Sequence, residues 1–231
     1  RVTYQGVEGS YSHLAAQRRY AGREGGALLT GHDTFRGAAD AVLSGAADLA
    51  LLPIENTTAG SINETYDLLA STGLHITGEV VAAIEHCLLA LPGVSIDELR
   101  VVISHPQALA QCRDFFARHP HLTARQEIDT AGSALHVSTA NDRTLGAIAS
   151  VAAARRYGLA ILAQGVQSAA GNATRFVEIS PRPAPVPDGA PAKTSLLLAL
   201  ADRPGALGEI LMRFAARSLS LTKIESRPIQ E

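Results

Sequence analysis

The sequence lacks both a charge bias and a long hydrophobic run. Its 20 lysine and arginine residues nearly balance its 22 aspartate and glutamate residues, and the net charge is −2. No block of like charges occurs, so the sequence carries no electrostatic footprint for nucleic acid or for a membrane surface. The longest apolar runs, such as residues 196–201, are too short to span a bilayer and are typical of buried strands. We therefore expect neither a nucleic-acid partner nor a membrane partner.

Cysteine is also scarce, with only Cys87 and Cys112 in 231 residues. Both lie among apolar neighbours, which predicts buried thiols, a reducing environment and a cytoplasmic location. The closest pair among the eight scattered histidines, His119 and His121, has no cysteine or carboxylate beside it, so we expect no metal site. We expect no signal peptide either, although the absence of an initial methionine indicates that the natural start lies upstream.

The sequence does contain a repeated unit of strand, polar loop and helix. The apolar strand 49–54 leads into the polar loop 55–61, and the strand 101–103 leads into the helix start 104–107. A further strand leads into residues 129–133, which again precede a helical pattern. Such units predict an α/β fold with a mainly parallel or mixed sheet. The length and the 46% hydrophobic fraction fit one large or two modest domains.

These loops place hydroxyl groups and free backbone N–H groups at helix N-termini, where the partial positive charge favours an anion. Helix capping alone accounts for one hydroxyl per helix, such as Ser61, Ser104 or Thr130. The loops carry clusters of two or three polar residues, which capping does not require. In open α/β sheets ligands bind beyond the carboxyl ends of the strands, so the loops predict an anion site there.

Residues 171–176, with the sequence GNATRF, form a turn that runs into an alternating strand. Glycine and asparagine permit the turn, and the strand fixes the directions of the Thr174 hydroxyl and the Arg175 guanidinium. This arrangement could aim one hydroxyl and one cation into a cleft. The alternative is purely structural, because threonine is a good strand former and an arginine near a strand start commonly faces water.

The clearest domain boundary is a proline-rich stretch at residues 181–191, which is typical of a semi-rigid linker. Beyond it, the pattern predicts a strand at 193–201, a helix at 204–216 and a second strand at 219–226. A βαβ fragment of this size cannot bury its faces alone. We therefore expect it to be incomplete, swapped or packed against a partner.

Eight motifs in order make essentially the whole chain resemble the prephenate dehydratase family. They read YQGVEGSYSHLAA, LLPIENTTAGSINETYDLL, ISHPQALAQC, DTAGSA and GNATRF before the linker, and KTSLLLAL, DRPGALGEIL and LTKIESRP after it. The resemblance implies a two-lobed α/β catalytic region, folded like type II periplasmic binding proteins, and an incomplete ACT regulatory domain of the ferredoxin-like α+β type. The implied boundaries are a catalytic region at 1–181 with lobes 1–79 plus 158–181 and 80–157, a linker at 182–192, and the ACT domain at 193–231.

The implied reaction is the loss of carbon dioxide and hydroxide from prephenate, giving phenylpyruvate, with the aminated form arogenate as the alternative substrate. Aromatisation drives this reaction, so no cofactor and no metal are expected. Thr174 is the implied catalytic residue, acting as a hydrogen-bond donor to the departing oxygen because its hydroxyl is too weak an acid for general acid catalysis. Arg175 would hold a carboxylate bidentately. The implied substrate contacts are Asn56, Thr57, Ser61, Ser104, His105, Gln107, Thr130, Ala131, Ser133, Asn172, Arg175 and Phe176.

Two alternatives and one regulatory expectation complete this interpretation. His105 is a conventional acid candidate, but it could equally orient the helix start that follows it. A non-catalytic solute-binding module is the alternative from another class, although an ACT appendage would serve no purpose there. The resemblance also implies phenylalanine as a feedback inhibitor and a homodimer or homotetramer. The implied effector contacts are Gly205, Ala206, Leu207, Glu225, Ser226, Arg227 and Pro228.

Overall fold

The computed structural model describes residues 1–23, 25–186 and 188–226, and the chain divides into two compact units, Arg1–Ala190 and Pro191–Glu231. The strands are β1 Val2–Gln5, β2 Leu29–His32, β3 Leu49–Asn56, β4 Gly60–Ser61, β5 His75–Ala83, β6 Cys87–Ala90, β7 Val101–Ser104, β8 Thr123–Gln126, β9 Leu145–Ala149, β10 Ala160–Gln164 and β11 Ala173–Ser180. The helices are α1 Tyr11–Tyr20, α2 Phe35–Leu43, α3 Asn63–Thr72, α4 Pro106–Gln111, α5 Arg113–Arg118, α6 Thr130–Ala140, α7 Val151–Tyr157 and α8 Ala206–Ala215. None of the described helices has the length and apolar character needed to cross a membrane.

The first sheet forms one lobe of the first unit. Its strand order is β2-β1-β3-β11-β5, and the short β4 pairs with β3. Strand β1 runs parallel to β2 and β3, whereas β11 runs antiparallel to both β3 and β5. Ser10 and Thr34 cap α1 and α2 by accepting backbone N–H groups of the first helical turn.

The second sheet forms the other lobe, with the strand order β10-β6-β9-β7-β8. The chain leaves the first sheet after β5 and returns to it after β10, so two connecting segments join the lobes. These two mixed sheets confirm the two-lobed α/β fold class. The predicted lobe boundaries need correction, because β5 continues the first sheet to Ala83 and β10 pairs with β6 in the second sheet. Apolar strands of this length give no sequence signal for the sheet in which they pair.

Strand β11 lies inside the first sheet, and its side chains alternate between the two faces. Phe176 packs with Tyr4 and Leu51 on one face, and Val177 packs in the core cluster on the other. The pairing with β3 shifts by one residue beside Pro53, which has no N–H group to give to the sheet. Thr174 precedes Phe176 by two residues on this strand, so both side chains lie on the same face of the sheet.

The second lobe buries both cysteines in its core. Cys87 and Cys112 are free thiols with no exposed surface, as their apolar surroundings predict. Burial disfavours the thiolate and raises the pKa of Cys112 to about 12. Both residues are therefore packing groups of this lobe.

The second unit contains one helix in its described residues. The predicted helix at 204–216 is confirmed as α8, but residues 193–201 and 219–226 form no strand there. Leu196 and Leu197 are 58% and 67% exposed. A strand needs a neighbour to satisfy its backbone N–H and C=O groups, and the described residues of this unit supply none to either segment. The βαβ prediction was therefore wrong in its strands.

Candidate active site

A cleft of about 420 Å³ opens between the two lobes of the first unit. Its walls are segments that follow strands at their carboxyl ends, together with the start of β11. The first lobe contributes the N-terminus of α1, and the second lobe contributes α4 and the N-terminus of α6. The cleft thus brings predicted loops from both lobes to one place, as the position of ligands in α/β sheets implies. Of the predicted residues it is lined by Asn56, His105, Gln107, Thr130, Thr174 and Phe176.

The Thr174 hydroxyl lies beside the side-chain amide of Asn56, and both side chains are buried. The carbonyl oxygen Oδ1 of Asn56 accepts the backbone N–H groups of Thr58 at 3.0 Å and Ala59 at 2.9 Å, which fixes the amide orientation. Asn56 Nδ2 therefore donates to Thr174 Oγ1 at 2.9 Å. Accepting that bond does not use the hydroxyl hydrogen of Thr174, so this hydrogen can be donated to a molecule in the cleft.

The Asn56 amide also belongs to a network that joins the two lobes. Its Nδ2 donates to Asn172 Oδ1 at 2.8 Å, and Asn172 Nδ2 donates to Gln111 Oε1 at 3.0 Å. Gln111 ends α4 and lines the cleft. The sequence interpretation missed Gln111, although it follows the predicted contact Gln107 by four residues, a spacing that places two side chains on one face of a helix.

His86 and Tyr11 extend the network and also line the cleft. His86 Nε2 lies 2.8 Å from Gln111 Oε1, and His86 Nδ1 lies 2.9 Å from the Tyr11 hydroxyl. The ring is 2% exposed, and burial lowers its pKa, which favours the neutral imidazole. Neither residue was predicted, because a single histidine in the short segment between two strands forms no recognisable pattern.

His105 is the N-cap residue of α4 and lines the cleft from the second lobe. Its Nδ1 accepts the backbone N–H of Gln107 at 3.2 Å. Burial lowers the pKa of His105, and the negative charge of Asp129 only partly opposes this shift. The geometry therefore favours the role of orienting the helix start over that of a proton donor.

The charged side chains of the cleft are acidic. Asp33, Glu64 and Asp129 line it, while no lysine or arginine does so in the described part of the chain. Within residues 1–23, 25–186 and 188–226, no three histidine, cysteine, aspartate or glutamate side chains are grouped so that they could hold a metal ion. The described cleft offers N–H and O–H dipoles of the protein to an anion.

Arg175 does not line the cleft, which corrects the expectation that it holds a substrate carboxylate. It follows Thr174 on a regular strand and therefore points to the opposite face of the sheet. Its Nε lies 3.4 Å from Glu55 and its Nη1 lies 3.0 Å from Glu79. The guanidinium thus pairs with two carboxylates on the other side of the first sheet.

Further predicted contacts lie outside the cleft. They are Thr57, Ser61, Ser104, Ala131, Ser133 and Asn172, of which Asn172 lines a smaller neighbouring cavity of about 260 Å³. Ser104 is fully buried and donates to the carbonyl of Ile148 at 2.6 Å, and Ser133 donates to the carbonyl of Asp129 at 2.7 Å. Ala131 is fully buried in the second lobe. For Ser104, Ala131 and Ser133, which are buried in the second lobe, packing is the better account.

The predicted effector contacts belong to the second unit. Gly205 adopts a φ of 83° immediately before α8, a conformation that favours glycine, and Ala206 and Leu207 begin the helix. The remaining predicted contacts are Glu225 and Ser226, which lie in no helix or strand, and Arg227 and Pro228, which lie outside the described residues.

Comparison with known proteins identifies relatives of the whole chain. The family model for prephenate dehydratase matches residues 2–184. Arogenate dehydratase 2 of Petunia hybrida is 46% identical over 231 residues, which make up 100% of this chain and 57% of that protein. The crystal structure of a prephenate dehydratase in complex with L-Phe from Arthrobacter aurescens matches with a TM-score of 0.84 and 30% identity, covering 98% of this chain and 76% of that chain.

A third relative bears on location. Arogenate dehydratase/prephenate dehydratase 2 of Arabidopsis thaliana, described as chloroplastic, is 43% identical over 231 residues, 100% of this chain and 59% of that protein. This relative contradicts the expected cytoplasmic location, which was inferred from cysteine usage alone. Buried reduced thiols do not distinguish the cytosol from other reducing compartments. The chain spans less than two thirds of the length of these plant relatives.

Proposed function

Because the chain belongs to the prephenate dehydratase family, we propose that it catalyses the decarboxylative dehydration of prephenate or of its aminated form, arogenate. Prephenate and one proton give phenylpyruvate, carbon dioxide and water; arogenate gives phenylalanine by the same bond changes. The bond between the ring and its carboxylate breaks, the electron pair enters the ring, and the hydroxyl on the opposite ring carbon leaves. The single observation that carries the proposal is the Thr174 hydroxyl in the cleft, held by Asn56 with its hydrogen available.

Thr174 eases the departure of the hydroxyl by donating that hydrogen to the departing oxygen. Negative charge grows on this oxygen as the carbon–oxygen bond breaks, so a donor already in place favours the transition state over the bound substrate. Two backbone N–H groups fix the orientation of the Asn56 amide, and this amide in turn holds the Thr174 hydroxyl. The hydroxyl therefore needs no reorganisation energy during the reaction. Thr174 is itself buried, which excludes water and strengthens this hydrogen bond.

Substrate carboxylates are bound by dipoles in this proposal. The N-terminus of α1, ten residues long, faces the cleft through Ser10, Tyr11 and Ser12. Its free N–H groups and positive dipole end favour a carboxylate. The amide of Gln111 adds a side-chain donor from the second lobe. Binding through two lobes would hold a doubly negative ring between them.

The acidic side chains of the cleft favour arogenate as the second candidate substrate. Arogenate carries an ammonium group where prephenate carries a ketone, and Asp33, Glu64 and Asp129 can each attract that positive charge. The arogenate dehydratases among the relatives support the same choice. The α-keto group of prephenate would gain nothing from these carboxylates.

Regulation by phenylalanine and assembly through the second unit are further parts of the proposal. The L-Phe complex of the Arthrobacter relative supports phenylalanine as an effector. The contacts proposed for it, Gly205–Leu207 and Glu225–Pro228, come from the family resemblance. Exposed apolar side chains on the second unit, such as Leu197 and Met212, support assembly into a homodimer or homotetramer. The chloroplastic Arabidopsis relative supports a plastid location.

The proposal is tested by turnover of each substrate. Purified protein is given prephenate or arogenate, and phenylpyruvate is followed by its ultraviolet absorbance and phenylalanine by chromatography. Thr174→Val keeps the shape of the side chain and removes the hydroxyl, so kcat should fall about a hundred- to a thousandfold. Thr174→Ser is the matched control and should retain most of the rate. An undiminished kcat in the valine variant would contradict the assigned role of Thr174.

A further inference from the structure

His86 lies in the connecting segment between β5 and β6, where the chain passes from one lobe to the other. Its ring is almost fully buried, yet both ring nitrogens have a polar partner. Nε2 lies 2.8 Å from Gln111 Oε1 of the second lobe, and Nδ1 lies 2.9 Å from the Tyr11 hydroxyl of the first lobe. The reaction proposed above assigns no step to this imidazole.

The direction of the hydrogen bond between His86 Nε2 and Gln111 follows from two backbone groups. The N–H groups of Thr58 and Ala59 fix Asn56 Oδ1 as an acceptor, so Asn56 Nδ2 donates to Asn172 Oδ1. Asn172 Nδ2 then donates to Gln111 Oε1. Because this oxygen is an acceptor, the nitrogen of the imidazole that faces it must carry hydrogen.

His86 is therefore the tautomer with hydrogen on Nε2, and its unprotonated Nδ1 faces the Tyr11 hydroxyl. Burial favours this neutral form. The Tyr11 hydroxyl has one hydrogen, for which the Glu85 carbonyl oxygen at 2.7 Å competes with Nδ1 at 2.9 Å. The essential bond of the ring is thus the one from Nε2 to Gln111.

That bond decides which end of the Gln111 amide meets the substrate. With Oε1 held by His86 and Asn172, Nε2 is the donor end of the Gln111 amide. One of its N–H groups points to Asn56 Oδ1 at 3.4 Å, and the residue lines the cleft. A reversed amide would place a carbonyl oxygen against Asn56 Oδ1 and towards a substrate carboxylate. In a cleft lined by carboxylates, and by no described cationic side chain, that reversal would replace attraction with repulsion.

We propose that His86 is a positioning residue, which holds the Gln111 side chain with its NH₂ group directed at a carboxylate of the substrate. The inference rests on the proposed function for the identity of the ligand. It concerns binding, because the carboxylate that Gln111 meets is present before and during the reaction. Loss of the orientation should therefore raise KM and leave kcat nearly unchanged.

Two substitutions of His86 separate its two hydrogen bonds. In His86→Gln the new amide nitrogen can take the place of Nε2 and donate to Gln111. In His86→Asn the shorter amide reaches only the place of Nδ1, beside Tyr11, and leaves Gln111 without this donor. Each variant removes one bond of a buried ring, so thermal unfolding should shift alike in both.

We expect KM of the better substrate to rise about ten- to a hundredfold in His86→Asn, the range that loss of a hydrogen bond to a charged group gives. In His86→Gln, KM should stay within about threefold of the parent value, and kcat should change by less than about threefold in either variant. An equal rise of KM in both variants, or a fall in kcat at constant KM, would overturn the inference.

The tautomer of His86 provides a readout that does not depend on turnover. Nitrogen-15 NMR of the full chain distinguishes a protonated from an unprotonated ring nitrogen, and His86→Gln identifies the resonances. We expect hydrogen on Nε2 alone at neutral pH. Hydrogen on Nδ1 alone, or on both nitrogens, would overturn the inference even if neither prephenate nor arogenate were converted, an outcome that would separately refute the proposed function.

Discussion

Asn56→Asp is a nearly isosteric change that reverses the hydrogen bonding at Thr174. The new carboxylate can still accept the N–H groups of Thr58 and Ala59. It loses the donor that Asn56 gives to Asn172 at 2.8 Å and to Thr174 at 2.9 Å. Two buried oxygens would then face a negative charge in place of an N–H group, and the Thr174 hydrogen would turn to the carboxylate and away from the substrate.

These contacts set the expected losses in the free energy of unfolding and in kcat. Leaving two buried acceptors without their donor should lower the free energy of unfolding by about 2–5 kcal/mol, which corresponds to a fall of about 5–15 °C in Tm for a domain of this size. Loss of the Thr174 donor should lower kcat about a hundred- to a thousandfold. Burial and neighbouring oxygens raise the pKa of the introduced carboxyl, so protonation at low pH should restore one donor and part of the rate.

The assay measures kcat of the variant relative to the parent protein as the pH is lowered from neutral, alongside calorimetric unfolding. Asn141→Asp is the matched control, since it makes the same chemical change at an exposed residue that ends α6. The control should keep the parent kcat at every pH. A neutral-pH kcat of the Asn56 variant close to the parent value would refute the claim that this amide sets the direction of the Thr174 hydroxyl.

Two further predictions test the charges around the cleft. Arg175→Gln removes ion pairs to Glu55 and Glu79, whose side chains are 36% and 37% exposed. Tm should therefore fall by only about 2–4 °C, and KM should stay within about threefold of the parent value. A tenfold rise in KM would show that the guanidinium contacts the substrate. The pKa values of His86 and His105 are lowered by burial, so folding favours their neutral forms, and the stability they contribute is present above about pH 6.5 and lost as the pH falls below it. Thermal unfolding across this range should show that loss, and His86→Gln should make it shallower.

Sequence reasoning found the loops of the cleft because each follows an apolar strand and precedes a helix. That pattern is local, and it correctly placed Asn56, His105 and Thr130 at the edge where strands end, while the turn before β11 indicated Thr174. It could not decide between the two faces of β11 for Arg175, since the alternation of a strand gives relative and not absolute direction. It also overstated hydroxyl contacts, as Ser104 shows, because capping and substrate binding use the same residue types.

The network residues were missed for a different reason. Gln111 and His86 act through partners far away in the sequence, such as the 61 residues that separate Gln111 from Asn172. No local pattern encodes a contact of that kind. The strands predicted at 193–201 and 219–226 were wrong for the opposite reason. A suitable local pattern was present, but the described residues of the second unit contain no strand to pair with.

Strand β11 pairs with β3 on one side and with β5 on the other. About ninety residues, including the whole second lobe, separate β5 from β11 in the sequence and are synthesised first. The second sheet has all its strands once Gln164 has left the ribosome, whereas the first sheet still has two open edges facing each other. Those edges can only be closed by the segment that carries Thr174, whose partner Asn56 lies 118 residues earlier. During synthesis the second lobe can therefore fold before the active site can form. Chaperone protection would matter most between the completion of β10 and the pairing of β11.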